Sequence, residues 1–142
     1  MKEYKPKDWH EEVAYFIVQP KESFRKELTD FFRGLFHCGG FTDTQKEEIA
    51  EILSLKSNEL YHLFQGYGQV SQSVFEEVHA RFTKLEWFVS EFRKVVKSEF
   101  MLSWLQKPNP IFENKRPLDL FTDEQFHLLQ NFIWAINSGN PS

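Results

Sequence analysis

The sequence predicts an all-α fold with about seven helices, and three observations predict it. Apolar residues recur at helical spacing in nearly every segment. Helix start and stop signals separate these segments: Ser, Thr or Asp three residues before Glu or Gln, and glycine or proline at the far end. No segment alternates apolar and polar residues between turn signals as a half-buried strand does, apart from a weak candidate at Val70 to Phe75.

The composition excludes several classes of protein. The chain of 142 residues contains 16 Phe. Its apolar content is too high for an intrinsically disordered protein. It has no apolar run long enough to span a membrane and no signal peptide, so we expect a cytoplasmic protein. The net charge of −4 argues against non-specific nucleic-acid binding through a large basic face. Basic and acidic residues also stay close to balance within residues 1–40, 41–105 and 106–142.

Two helices are predicted in the first forty residues. The first begins at Asp8 and ends before Pro20, because a proline disfavours helical backbone in the residue before it. The second begins at Lys21 or Ser23 and ends at Gly39-Gly40, because glycine readily takes the left-handed conformation that closes a helix. The apolar faces would carry Trp9, Val13, Phe16 and Ile17 in the first helix, and Phe24, Leu28, Phe31, Phe32 and Leu35 in the second.

Three shorter helices follow, and each begins at a capping residue. We expect the first at Thr44 with Glu47 as its reciprocal partner, the second at Ser57 and the third at Ser73. A break at Ser54-Leu55-Lys56 separates the first two. The buried faces would carry Ile49, Ala50 and Leu53, then Leu60, Leu63 and Phe64, then Val74, Phe75, Val78 and Phe82.

The longest helical pattern runs from about Lys84 to Leu105, and Pro108-Asn109-Pro110 breaks it. In this break the Asn109 side chain is expected to bond the neighbouring backbone. A loop then leads to a final helix that follows the capping residue Thr122 and ends at Gly139. The inward face of this last helix would carry Phe126, Leu129, Ile133 and Ile136.

Residues 45–66, QKEEIAEILSLKSNELYHLFQG, have the pattern of a helix-turn-helix. The small Ala50 stands where two short helices would approach most closely, while Leu55 and Leu60 would hold the second helix in place. This spacing resembles the DNA-binding motif of Xre-like, or phage-repressor-like, proteins. Ser54 departs from the motif, because that turn position usually holds glycine.

The resemblance implies that the exposed start of the second helix enters the major groove of DNA. Asn and Ser side chains can read base edges, and Lys can hold phosphates. The glutamates of both helices oppose this, since carboxylates repel phosphates, so a helix pair that serves only as a scaffold is an open alternative. The expected DNA-contacting residues are Lys46, Lys56, Ser57, Asn58, Tyr61 and His62.

The C-terminal part of the chain carries a second set of landmarks. Trp104-Leu105 is followed by Pro108-Asn109, by Pro117-Leu118-Asp119-Leu120 and by a Thr-capped helix that ends at glycine. This order resembles the toxin-binding region of the Xre/MbcA/ParS-type antitoxins. Two departures stand out. Glu113-Asn114 replace a glycine that the family usually has before the Pro-Leu element, and residues 123–126 lack a glycine expected after the threonine.

The resemblance covers about residues 41–142 and implies an antitoxin of a type II toxin–antitoxin pair. In that family the C-terminal region binds the toxin, commonly a RES-domain enzyme that consumes NAD. The helix-turn-helix binds the operon's own promoter, usually as a dimer. We therefore expect N-terminal helices of unidentified role (1–40), a helix-turn-helix region (41–99) and a toxin-binding region (100–142). The expected toxin-binding residues are Trp104, Pro108, Asn109, Pro117, Leu118 and Gly139.

The sequence predicts no enzyme activity, no cofactor and no metal site. A single Cys38 allows no internal disulfide or cysteine zinc cluster, and the five histidines lack ligand spacing. No phosphate-binding loop, dinucleotide fingerprint or nucleophile elbow is present. Trp87, Trp104 and Trp134 lie on apolar stripes, where core packing is expected. The alternatives to an antitoxin are a helical adaptor that has lost DNA binding and a ligand sensor with an aromatic-rich interior pocket.

Overall fold

The computed structural model describes residues 17–65 and 68–138. Over these residues it contains six α-helices and one pair of two-residue strands, so the predicted all-α fold class is confirmed. The helices are α1 (Glu22–Phe36), α2 (Asp43–Leu53), α3 (Ser57–Phe64), α4 (Gln72–Phe92), α5 (Met101–Gln106) and α6 (Phe126–Asn137). The strands are β1 (Ile17–Val18) and β2 (Val70–Ser71), and short 3-10 turns lie at Ser98–Phe100, Pro110–Phe112 and Pro117–Leu120.

The two short strands pair antiparallel, with Ile17 opposite Ser71 and Val18 opposite Val70. The placement of Ile17 at the end of a helix is therefore wrong. Adjacent β-branched residues close to Pro20 favour extended backbone over a further helical turn. The rest of that predicted first helix lies outside the described residues.

The chain folds as two compact units. In the described chain, unit 1 consists of residues 17–30 and 42–80, and unit 2 consists of residues 31–41 and 81–138. The long helices α1 and α4 each supply a segment to both units.

Each unit has its own buried apolar residues, and most are the ones that helical spacing predicts. In unit 1 they are Leu28, Ile49, Ala50, Ile52, Leu53, Leu60, Leu63, Val70 and Val78. In unit 2 they are Phe32, Leu35, Phe82, Leu85, Phe88, Val89, Phe92, Met101, Leu105, Phe112, Leu118, Leu120, Phe121, Leu129 and Ile133. Burial of each of the larger side chains contributes about 1.5–3 kcal/mol of hydrophobic stabilisation. These apolar stripes therefore stabilise each unit internally.

Helix α1 ends at Phe36, and His37 closes it in place of the predicted glycine pair. His37 takes the left-handed conformation (φ 55°), and the Cys38 backbone N–H donates a hydrogen bond to the Arg33 carbonyl at 3.1 Å. A hydrogen bond from a backbone N–H to the carbonyl five residues earlier is typical of a Schellman cap. Here histidine occupies the left-handed position of that cap, which glycine usually holds. Gly39-Gly40 lie beyond the cap, so the predicted end point is wrong by two residues.

Helix α2 begins before the predicted cap, because Thr42 and not Thr44 caps it. The Thr42 hydroxyl accepts a hydrogen bond from the Gln45 backbone N–H at 3.1 Å, and the Gln45 side chain accepts one from the Thr42 backbone at 2.9 Å. Both threonines precede a Gln or Glu by three residues, so the sequence offers two registers for one capping box. The register in the structure places Asp43 in the first turn, where the helix dipole favours a carboxylate.

Helices α3 and α4 also begin earlier than predicted. Lys56 is the capping position of α3 in place of Ser57, and the Glu59 carboxylate accepts a hydrogen bond from the Lys56 backbone N–H at 2.9 Å. Helix α4 begins at Gln72, and the Ser71 hydroxyl before it accepts the Val74 backbone N–H at 3.3 Å. Pairing of β2 with β1 places Ser71 at this position, and the sequence around α4 does not reveal that pairing.

Helix α4 runs unbroken for 21 residues and replaces the first part of the predicted Lys84 to Leu105 pattern. It ends at Phe92, and a turn, a 3-10 turn and the six-residue α5 follow. Val95 and Val96 continue the helical spacing, but β-branched neighbours lower helix propensity and Val95 is exposed. None of the described helices is both long enough and apolar enough to cross a bilayer.

Candidate functional sites

The turn between α2 and α3 has the backbone that the helix-turn-helix pattern predicts. Ser54 takes the left-handed conformation, with φ 58° and ψ 46°. The backbone N–H groups of Ser54 and Leu55 donate to the carbonyls of Glu51 and Ala50, at 3.1 and 2.8 Å. These bonds close α2. Serine thus occupies the one turn position at which glycine is usually found, and the turn forms with it.

Replacing Ser54 with glycine should stabilise the protein. A left-handed backbone costs an L-residue about 1–2 kcal/mol that glycine does not incur. Because glycine also loses more chain entropy on folding, we expect Ser54→Gly to raise the free energy of unfolding by about 0.5–1 kcal/mol, measured by urea denaturation. The control is Ser90→Gly on the exposed side of α4, which should lower stability by a similar amount. A loss of stability in Ser54→Gly would contradict the left-handed turn.

The residues predicted to contact DNA are exposed in unit 1. Ser57, Asn58, Tyr61 and His62 lie at i, i+3 and i+4 spacing on α3, so they are neighbours on its surface. The Tyr61 and His62 rings also contact each other, with centroids 5.5 Å apart. Lys56 is the capping position of the same helix and Lys46 lies on α2. A short polar surface with an exposed aromatic ring therefore marks the start of α3.

The charge of the α2–α3 pair opposes contact with phosphates. Five carboxylates accompany the two lysines between the start of α2 and the end of α3: Asp43, Glu47, Glu48, Glu51 and Glu59. Electrostatic attraction to the phosphates supplies most non-specific affinity for DNA. Because carboxylates outnumber lysines on this pair of helices, the interaction with phosphates is repulsive here. Any DNA contact would therefore depend on base-edge readout by the side chains of α3.

Arg25 fixes the far end of α3, and the sequence analysis did not identify it. Its side chain is buried, with 7% exposed. The guanidinium donates from Nε to the Leu63 carbonyl at 3.1 Å and from Nη2 to the Gly68 carbonyl at 2.8 Å. The last carbonyls of a helix have no partner within it, and a cation there is favoured by the helix dipole. The signal in the sequence was its position three residues before Leu28, on the buried side of α1.

Gly68 allows this arrangement because it has no side chain. A Cβ atom at this position would lie 1.7 Å from the backbone carbonyl oxygen of His62. Only glycine fits so close to the last turn of α3. Its carbonyl can then reach the Arg25 guanidinium.

A cleft of about 680 Å³ opens in unit 1 between the first part of α1 and the first part of α4. Phe24, Phe75 and His79 line it, with ring centroids 5.4 to 6.0 Å apart. Both phenylalanines are half-buried, whereas His79 and the lining residue Glu76 are exposed. The cleft is open and partly polar, unlike the apolar interior pocket that a ligand sensor would use.

Trp104 lies at the centre of an aromatic cluster in unit 2. The centroid of its ring is 4.4 Å from that of Phe92, and 5.4 to 6.2 Å from those of Phe88, Phe112 and Phe132. Such contacts contribute about 0.5–1.5 kcal/mol per pair beyond the burial of area. The cluster joins α4, α5, the Pro110–Phe112 turn and α6, so the core packing predicted for Trp104 is confirmed.

Core packing is wrong for Trp134, whose side chain is 76% exposed on α6. Phe132 packs on Trp104 and Ile133 is buried, so these two neighbours define the inward side of α6. Trp134 lies about 200° around the helix from Phe132 and therefore faces away from the core. Trp87 on α4 is 39% exposed, less than Trp134, and its ring contacts that of Phe126 edge-on with centroids 5.7 Å apart. The sequence pattern placed all three tryptophans on apolar helix faces. It did not show which of them lies at the buried centre of its face and which lies at the exposed edge.

The loop after α5 closes on itself through Asn109. The Asn109 backbone N–H donates to the Lys115 carbonyl at 3.1 Å, and the Asn109 carbonyl accepts from the Asn114 N–H at 2.9 Å. The Asn109 side chain accepts the Ile111 N–H at 3.0 Å, so the predicted bond to the neighbouring backbone is confirmed. Glu113 and Asn114 are both left-handed, with φ of 58° and 64°. Both residues thus occupy backbone that favours glycine.

Arg81 anchors the Pro117–Leu120 turn, and it too was missed by the sequence analysis. Its guanidinium donates from Nη1 to the Phe121 carbonyl at 2.8 Å and from Nη2 to the Leu118 carbonyl at 3.1 Å. Burial lowers the pKa of Arg81 below its ordinary value, and the nearby Asp119 carboxylate opposes this shift. Pro117 and Leu118, two of the predicted toxin-binding residues, are buried beneath this contact.

Arg116 and Asp119 bind each other across the same turn. The Asp119 carboxylate accepts hydrogen bonds from Arg116 Nη2 at 2.8 Å and from Nε at 3.1 Å. These bonds lower the pKa of the Asp119 carboxyl below its ordinary value. The Thr122 hydroxyl, which follows the turn, accepts the Gln125 backbone N–H at 3.1 Å and closes a turn there. Helix α6 begins only at Phe126, with Gln125 at its capping position and no side-chain cap, so the predicted cap at Thr122 is wrong. Gly139, predicted to close this helix, lies outside the described residues.

The remaining predicted toxin-binding residue, Pro108, is exposed at the start of the loop after α5. Among the residues that the structure describes, no group of three or more His, Cys, Asp and Glu side chains is arranged to hold a metal ion. The chain matches no protein-family model, no curated protein and no solved structure with significance.

Proposed function

We propose that this protein is an antitoxin-like protein, in which unit 2 binds and neutralises a partner toxin and the α2–α3 pair contacts promoter DNA. The observation that carries the proposal is the set of large apolar side chains that unit 2 exposes. Six of the seven large apolar side chains that are exposed in the described chain belong to it. They are Trp87, Val95, Phe100, Ile111, Leu128 and Trp134.

Exposed apolar side chains on a well-packed unit favour a protein-binding role. Water disfavours exposed apolar side chains, so their burial against a partner would be favourable. Tryptophan is also enriched among the residues that dominate binding energy in interfaces. Trp134, the most exposed of the set, lies on α6 within the region that resembles the toxin-binding part of the antitoxins.

The contacts that hold α6 in unit 2 support the same role. The rings around Trp104 contact α6 at Phe132, and Arg81 anchors the turn before that helix. A helix held in this way loses little conformational entropy when its exposed face meets a partner. Trp134 is thereby presented on a pre-formed surface.

The DNA-binding part of the proposal is supported by the turn at Ser54 and by the exposed polar side chains at the start of α3. The five carboxylates of the α2–α3 pair favour the second candidate function, a helical adaptor that has lost DNA binding. Both functions share the partner-binding role of unit 2.

Trp134→Ala should abolish toxin neutralisation. Loss of a central interface tryptophan costs about 2 kcal/mol or more, which is about a 30-fold weaker complex. The measurement is growth of cells that co-express this chain with the toxic enzyme encoded beside it. The matched control is Tyr61→Ala, which removes an exposed aromatic ring from unit 1 and should leave protection intact. Full protection by Trp134→Ala would show that α6 is not the partner-binding face.

Promoter binding separates the two candidate functions. We expect a gel shift with the upstream promoter, strongest at low salt, that is abolished by Lys56→Ala combined with Asn58→Ala. The control is Lys115→Ala, which removes an exposed cation from unit 2 and should leave the shift unchanged. Absence of a shift at low salt would reject the repressor role and leave the adaptor.

A further inference from the structure

Residues 93–116 of unit 2 carry a local excess of positive charge in an acidic protein. They contain six basic and two acidic side chains, whereas the whole chain has a net charge of −4. The near balance of charge within residues 1–40, 41–105 and 106–142 does not reveal this excess, because the division between residues 105 and 106 splits the segment. The basic residues are Arg93, Lys94, Lys97, Lys107, Lys115 and Arg116, and the acidic ones are Glu99 and Glu113.

Four of these cations are available to a partner. Lys94 pairs with Glu91 at 3.0 Å, and Arg116 pairs with Asp119 at 2.8 Å. The other four side chains are exposed and form no ion pair with any described residue. They are Arg93, Lys97, Lys107 and Lys115.

The backbone brings three of these cations and two apolar side chains into one strip. The Lys97 carbonyl accepts the Phe100 N–H at 3.0 Å, and Phe100 and Lys107 lie seven positions apart along α5 and its two ends, hence on the same side. The bond from Asn109 to the Lys115 carbonyl returns Lys115 to the neighbourhood of Lys107. We call Lys97, Phe100, Lys107, Ile111 and Lys115 the basic strip.

The two apolar side chains of the basic strip are exposed: the exposed fraction is 57% for Phe100 and 64% for Ile111. Ile111 lies in the loop that Asn109 closes and that contains left-handed Glu113 and Asn114. Backbone held in sparsely populated conformations is found at functional sites, where it presents a side chain in a fixed position. The loop therefore offers an apolar anchor between two cations at little entropic cost.

We propose that the basic strip is a docking surface for an acidic segment of a partner protein. Its cations complement carboxylates and would steer the encounter, while Phe100 and Ile111 supply apolar contact. Glu99 and Glu113 favour a protein over DNA or an anionic membrane. They would bring carboxylates against phosphates or anionic headgroups, whereas a protein partner can pair them with its own cations.

This inference goes beyond the proposed function, because it does not require the partner to be a toxin. It shares Phe100 and Ile111 with the exposed apolar side chains of unit 2, but the substitutions expected to weaken its binding change neither Trp134 nor the α2–α3 pair. Failure of toxin neutralisation would leave it standing, and failure of acidic-peptide binding would leave neutralisation standing.

The test is an NMR titration of the ¹⁵N-labelled full chain with a synthetic peptide that alternates Glu or Asp with Leu. We expect saturable shift changes confined to residues 93–116, weakened by added salt. Lys97→Glu combined with Lys107→Glu should weaken the affinity about tenfold or more. The control, Lys46→Glu combined with Lys56→Glu, makes the same charge change in unit 1 and should leave the affinity unchanged. If the first double variant fails to fold by circular dichroism, Lys97→Ala combined with Lys115→Ala replaces it.

Three parallel titrations decide between classes of partner. They use a peptide with Gln and Asn in place of the acids, a double-stranded DNA oligonucleotide, and vesicles of equal parts phosphatidylcholine and phosphatidylserine. We expect the neutral peptide, the DNA and the vesicles to leave the strip unshifted. Equal binding of the neutral peptide, equal losses in both double variants, or shifts at the strip with DNA or vesicles but not with the acidic peptide would each overturn the proposal.

Discussion

Gly68→Ala should destabilise unit 1 severely. The added Cβ would lie 1.7 Å from the His62 carbonyl oxygen, a backbone atom that cannot turn aside as a flexible side chain does. The backbone must therefore move, which displaces the Gly68 carbonyl from the Arg25 guanidinium. We expect a loss of about 3 kcal/mol or more in the free energy of unfolding, because overpacking and a broken buried hydrogen bond add together.

Gly34→Ala is the matched control for this substitution. It adds the same methyl group on α1, where nothing lies within 4 Å of the new Cβ. Alanine is about 1 kcal/mol better than glycine inside a helix, so this variant should gain stability. Urea denaturation of both variants measures the difference. Equal stabilities would mean that Gly68 does not contact α3 as described.

Arg81→Met should have the second largest effect and should act on unit 2. It removes both donors to the carbonyls of Leu118 and Phe121 and leaves these acceptors without that partner in a largely buried region. Leaving a buried acceptor unsatisfied costs about 1–3 kcal/mol, so we expect a total loss of about 2–4 kcal/mol. Amide hydrogen exchange at Leu120 should also accelerate, because the Pro117–Leu120 turn loses its anchor.

Two further variants distinguish the loss of these hydrogen bonds from the loss of a positive charge. Arg81→Lys should recover only part of the stability, since one ammonium cannot reproduce the two-pronged guanidinium contact. Arg93→Met removes an exposed arginine beyond the end of α4 and should change stability by less than about 0.5 kcal/mol. If Arg81→Met is as stable as Arg93→Met, the turn does not depend on Arg81.

Helical spacing predicted the fold class and most of the buried residues, because these depend on interactions within one turn of helix. Leu28, Leu63, Phe88 and Leu129 follow the period of 3.6 and all are buried. The left-handed turn at Ser54 was also foreseeable, since the pattern of small and apolar residues on either side marks it.

Features that depend on distant partners were not foreseeable. The pairing of β1 with β2 joins residues more than fifty positions apart, and it decides where α4 begins. Arg25 and Arg81 resemble surface residues in the sequence, because only the folded chain places carbonyls within reach of them. The two registers offered by Thr42 and Thr44 are almost equivalent locally, so the cap of α2 was assigned two residues late.

The same limit applies to the candidate sites. Sequence spacing placed Trp134 on an apolar stripe, but only the packing of the adjacent Ile133 shows which of the two faces the solvent. The basic strip was hidden because its three lysines are spread over residues 97–115 and are brought together only by the turn before α5 and the loop closed by Asn109. Residue types that carry binding were visible in the sequence, whereas their grouping was not.

The most direct test of unit 2 as the partner-binding unit is calorimetric titration of the purified chain with the enzyme encoded by the neighbouring reading frame. We predict saturable binding that weakens about 30-fold or more in Trp134→Ala and is unchanged in Tyr61→Ala. Absence of binding by the intact chain, or equal losses in the two variants, would contradict the assignment of unit 2 as the antitoxin surface.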